Sequence, residues 1–106
     1  MTVERTEVVW IETRTEYSVH EIVELSGLSR VLVDALVDRG VLPLASEAMP
    51  TFAAESVALA RAARRLHEHF ELDDRGLAVA VSLLRRVRAL ESELVRARAE
   101  RTAGID

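Results

Sequence analysis

His20, His67 and His69 are the only histidines in this chain, and it has no cysteine. Chelation of a metal from one helix needs ligands four residues apart, on one face. His67 and His69 are two apart, so on a helix they point in different directions. Asp73 and Asp74 are adjacent carboxylates, but Asp73 sits where a helix cap is needed. No Ser-His-Asp or Cys-His constellation is present, and no glycine-rich loop that could cradle a phosphate. The expectation is a protein that is not an enzyme, with no metal and no cofactor.

The chemistry that remains is recognition by charge. Arg30, Asp34 and Asp38 recur every four residues and form one outward row on a helix, with Arg39 beside them. Glu21 and Glu24 lie on the helix before it. Carboxylates repel a phosphate backbone, which is held by Lys or Arg. They suit a basic protein surface instead, where complementary charge steers association and sets specificity. Glu21, Glu24, Arg30, Asp34 and Asp38 are therefore the candidate partner-binding residues. The bland alternative is a solvated face that keeps the domain soluble. The formal net charge of −4 and pI of about 5.4 weigh mildly against nucleic acid.

The elements that must position this row can be read from caps and periodicity. Val3 to Thr13 carries Val3, Val8, Val9, Trp10 and Ile11 among charges and reads as a strand. Ser18 caps a short helix with Glu21 as its capping-box partner, and Val19, Ile22, Val23 and Leu25 are its apolar side. Gly27 ends it. Ser29 caps a second helix with apolar Leu32, Val33, Leu36 and Val37, which Gly40 ends. Val41 to Phe52, with Pro43 and Pro50, reads as a short hairpin or wing. Its tip, Ser46 to Thr51, holds no Lys or Arg. A third helix covers about Glu55 to Phe70, with the stripe Leu59, Ala63, Leu66 and Phe70. Asp73 then caps a long helix to about Arg101, and Thr102 to Asp106 is expected to fray. Trp10 and Tyr17 are either interface anchors or parts of a small core.

In the long helix Ala80, Leu83, Val87, Leu90, Leu94 and Ala97 are spaced like a coiled-coil seam of under three heptads. Leu83, Val87, Leu90 and Leu94 are the candidate dimerisation residues. Arg86 and Glu93 on one flank, with Glu91 and Arg98 on the other, could pair in a parallel or an antiparallel arrangement. A single helix packing the stripe on its own domain is the alternative. Leu77 and Val81 read as domain core. The helix's arginines alternate with glutamates, which fits a solvated coiled-coil face better than lipid or nucleic acid.

At these residues the chain resembles the MerR family, from about Tyr17 to Ala97. Tyr17 and Val19 match the opening of the family's helix-turn-helix, Gly27, Leu28 and Ser29 its turn, and Gly40, Val41 and Leu42 its close. The family's DNA-holding Leu-Arg-Tyr-Tyr run is replaced by Val33, Asp34, Ala35 and Leu36. The wing's Arg-Arg-Tyr is replaced by Pro50, Thr51 and Phe52. The run from Leu72 to Leu83 (LDDRGLAVAVSL) more closely resembles the chaperone-modulator family called CbpM, reduced MerR-like domains with a C-terminal dimerising helix. That resemblance implies a homodimer that binds the J-domain of a DnaJ-like co-chaperone and inhibits its action on a DnaK-type chaperone.

The expected fold is mainly α: a MerR-like winged helix-turn-helix with an N-terminal strand and a long C-terminal helix for self-association. At 106 residues the chain is one compact unit, with residues 1–72 forming the helix-turn-helix part and 73–106 the dimerisation helix. A domain this small buries roughly 60–70% of its unfolded surface, so an oligomeric contact would help it. No apolar run spans a membrane and no signal peptide is read, so the expected location is the cytoplasm. Two rivals stand beside the modulator reading. One is a MerR-like transcription regulator that binds DNA as a dimer, and the other is a module that only assembles through its last helix.

Overall fold

The computed structural model describes residues 15–105. The expected strand over Val3 to Thr13, and Trp10 within it, lie outside the described residues. Six elements follow in order: β1 (Tyr17–Ser18), α1 (Val19–Ser26), α2 (Arg30–Asp38), β2 (Thr51–Phe52), α3 (Ala54–Phe70) and α4 (Asp74–Ile105).

The caps explain where the first helices begin. The Ser18 hydroxyl accepts from the Glu21 amide at 3.1 Å, and the Glu21 carboxylate accepts from the Ser18 amide at 2.9 Å, a complete capping box. Ser29 accepts from the Leu32 amide at 3.2 Å and starts α2 the same way. Gly27 and Gly40 both lie in the left-handed region, at φ 77° and 75°. Both follow the last turn of a helix, where a residue with a Cβ would be strained.

A minimal two-stranded sheet ties the start of this unit to its wing. Tyr17 pairs with Phe52 and Ser18 with Thr51, antiparallel. The wing closes on itself by the Ala45 amide to the Thr51 carbonyl at 2.7 Å and the Thr51 amide to the Ser46 carbonyl at 3.3 Å. Tyr17 is buried in the core rather than displayed.

One core joins all four helices. Ile22 from α1, Val33 and Leu36 from α2, Phe52 from β2, Leu59 and Ala63 from α3, and Leu77 and Val81 from α4 are fully enclosed. The first turns of α4 are thus part of the helix-turn-helix core. Asp73 caps α4 by accepting from the Gly76 amide at 2.8 Å.

Two expectations change. Phe70 has the spacing of α3's inner stripe yet is 66% exposed. It faces the right way but lies in the last turn, just before the left-handed Glu71, past the end of the core. The C-terminal tail does not fray at Thr102: α4 continues to Ile105, and the Thr102 hydroxyl donates back to the Arg98 carbonyl at 2.9 Å.

Candidate functional site

The turn between α1 and α2 sets the angle of the charged row, and α3 braces it. Leu28 plugs into the core, and its amide donates to the buried Ser26 hydroxyl at 3.1 Å. The Arg61 Nε donates to the Leu25 carbonyl at 3.1 Å, placing a cation at the C-terminus of α1, where the helix dipole favours it. Arg64 lies directly over Gly27. A Cβ there would meet the Arg64 Cδ at 2.7 Å.

On this frame the outward side of α2 presents Arg30, Asp34 and Asp38, all exposed. Arg30 is not a free cation: its Nε donates to the Asp34 carboxylate at 3.2 Å. Arg39, just after the helix, is bound to Asp74 at 3.0 Å. The hydrogen bond from Arg39 holds the Asp74 carboxyl below its usual value, against an opposing desolvation and with the Arg39 charge adding to it. Arg64 pairs with Glu68 at 3.1 Å. Arg30, Arg39, Arg61 and Arg64 are therefore each matched to an acid or a carbonyl of the same molecule. Asp38 has no ion pair within 4 Å among the described residues.

The other candidate residues are less alike than the sequence suggested. Glu24 stands out on α1 beside His20, at 3.2 Å. Glu21 is half-buried and engaged in the capping box, so its carboxylate serves the fold. Residues 19–38 hold four acids and one arginine, and the wing tip holds Glu47 and no cation. A residue that periodicity missed lies on the same face. Val31 is 75% exposed, an apolar side chain next to Arg30 and one turn before Asp34. Its β-branched type gave no sign that it stood outside the core.

Leu83, Val87, Leu90 and Leu94 are all about half exposed or more on α4. From Ala89 to Gly104 every side chain of α4 is exposed. Among the described residues, no three His, Cys, Asp or Glu side chains cluster as metal ligands would, and no helix is long and apolar enough to cross a membrane.

No curated protein matches the chain. A family model described as MerR HTH family regulatory protein matches residues 17–98, which take in every element from β1 into the free half of α4. With the turn, wing and long helix arranged as above, the chain belongs to the MerR helix-turn-helix family of regulatory proteins.

Proposed function

We propose that this protein regulates by binding another protein through the α1–α2 face, and that its partner is the J-domain of a DnaJ-like co-chaperone. J-domains dock on a DnaK-type chaperone through a basic helix. A surface that covers that helix inhibits the docking, and the inhibition is steric and electrostatic, without chemistry.

The observation that carries this reading is the state of the charges on α2. In a helix-turn-helix the second helix enters the major groove and needs cations toward the phosphates. Here Arg30 is neutralised by Asp34, Arg39 by Asp74, and Asp38 stands exposed without a partner cation among the described residues. The face offers negative charge with the apolar side chain of Val31 at its edge. A basic amphipathic helix complements both features. The resemblance of Leu72 to Leu83 to the CbpM segment supports the same partner.

The family assignment also supports a second reading, DNA binding as a dimer, which needs the ion pairs at Arg30 and Arg39 to open. A pull-down from native cytoplasm, with a DNA mobility-shift assay on the same preparation, separates the two. A J-domain protein retained without a DNA shift is the expected result. A sequence-specific shift with no co-chaperone retained would overturn the proposal.

A further inference from the structure

An open groove of about 640 Å³ runs between α3 and α4. Leu66 of α3 and Leu83, Leu84 and Val87 of α4 give it an apolar lining, and Arg65 and Arg88 line it as well. Neither arginine has an ion pair among the described residues. An apolar trough with two unmatched cations suits an apolar stretch of chain that carries an acid at each end.

This chain holds such a stretch outside its described residues. Val8, Val9, Trp10 and Ile11 form an unbroken apolar run, with Glu7 before it and Glu12 after it. We infer that the groove between α3 and α4 is the docking site of this run from the same chain, with Glu12 at Arg88 and Glu7 at Arg65. The groove shares no residue with the charged row on α2, and filling it needs no partner protein.

The topology leads the run to this place. Tyr17 pairs with Phe52 and Ser18 with Thr51, antiparallel, so the chain before Tyr17 leaves toward Ala54, the first residue of α3. From there the groove begins at Ala62, roughly 12 Å along the helix, and Arg65 lies about 17 Å along it. An extended chain rises about 3.3 Å per residue, so counted from Thr15 it can reach about 10 Å at Glu12, about 17 Å at Trp10 and about 26 Å at Glu7. The apolar run comes level with the groove, with length to spare for the crossing from the sheet.

Charge fixes the order of the contacts. Residues 71–73 alone connect α3 to α4, so the two helices run in opposite senses and Arg88 lies toward the Ala62 end. Glu12 is the acid nearer β1 and meets Arg88. Glu7 reaches further along α3 and meets Arg65. Residues 7–12 carry two acids and no base. Because the run is tethered to β1, its local concentration at the groove is high, and a modest apolar contact suffices to seat it.

Trp10 is the only tryptophan and the chain has no cysteine, so fluorescence and an introduced thiol are both clean reporters. In the full native chain Trp10 emission is expected to be blue-shifted and shielded from acrylamide. Arg65→Glu with Arg88→Glu is expected to raise the quenching toward that of the urea-unfolded chain. Adding Glu7→Arg with Glu12→Arg is expected to restore the shielding. Trp10 quenched in the native chain as freely as in urea would overturn the inference, and so would shielding that the charge reversals leave unchanged. Shielding lost on dilution would place the run on a second copy and overturn it too. As a second reading, Glu12→Cys and Arg88→Cys in one full chain are expected to form an intrachain disulfide on mild oxidation. A disulfide only between chains, or none, would rule out the contact.

Discussion

The Arg39 guanidinium donates to the Asp74 carboxylate at 3.0 Å and so ties the end of α2 to the first residue of α4. Arg85, three turns along α4, donates to the Gly40 and Val41 carbonyls at 3.4 and 3.3 Å and closes the same joint from the other side. The C-terminus of α2 is thus held by two arginines, one at each end of a short clasp. The orientation of the charged row relative to α4 rests on these contacts and on the shared core that encloses Leu36 and Leu77.

The clasp makes stability depend on pH in a definite direction. Asp74 titrates below its usual value in the folded protein because Arg39 favours its charged form. A carboxyl with a lowered folded pKa contributes stability at pH above its unfolded pKa of roughly 4, and loses it as pH falls through the lower folded value. Asp74→Asn is therefore expected to lower the urea midpoint at neutral pH, and the difference from the native chain should shrink in acid. An equal deficit at both pH values would mean that asparagine disturbs the first turn of α4 rather than removing an ion pair.

Gly27 and Gly40 have nearly the same backbone angles and different surroundings, which makes them a controlled pair. Around Gly40 an added Cβ would meet nothing within 4 Å, so Gly40→Ala carries only the left-handed backbone cost, about 1 kcal/mol. At Gly27 the same methyl would also run into the Arg64 side chain, so Gly27→Ala should cost more, about 2–3 kcal/mol. Adding Arg64→Ala should return part of that difference at position 27 and none at position 40. Urea unfolding of the six proteins, the native chain, the three single variants and the two doubles, reads each term.

Phe70 tests the boundary of the core. Leu36 is fully enclosed, and Leu36→Ala should cost about 2–5 kcal/mol. Phe70→Ala should change stability by under about 0.5 kcal/mol, although both residues belong to apolar stripes in the sequence. A large loss at Phe70 would show that something covers it in solution, and sedimentation of the variant would tell whether that cover is a second copy.

What the sequence revealed, and what it hid, divides by the range of the interaction. Ser18, Glu21, Ser29, Gly27 and Gly40 act on backbone groups within four residues, so the caps and the helix-turn-helix could be placed from residue type alone. Asp34 and Asp38 on one exposed row followed from the helical period. The engagement of Arg61 with the Leu25 carbonyl and of Arg39 with Asp74 joins residues 36 and 35 positions apart, and no local pattern marks it. Phe70 misleads for a related reason: periodicity gives the direction of a side chain but not whether another element reaches it. Past Arg101 no proline stops α4, and a lone Gly104 near its end was too weak a breaker to do so.

The charged row itself gives the decisive test of function. Replacing both Asp34 and Asp38 by Arg adds two positive units at each site and moves the formal net charge from −4 to zero. Both residues are exposed and outside the core, so the fold should survive, with only the weak Arg30–Asp34 surface pair lost. Binding to a J-domain should fall at least about tenfold, mostly through slower association, because like charges now meet. The same variant should acquire weak nucleic-acid binding that fades steeply with salt, since α2 would present the cations a helix-turn-helix uses against phosphate. Isothermal titration against a purified J-domain protein and a mobility shift across a salt series measure the two changes. Unchanged co-chaperone binding would show that the partner sits on another surface. A native chain that already binds a palindromic site, and loses its sequence preference in the variant, would mean that the aspartates read DNA bases and that the ion pairs on α2 open in the complex.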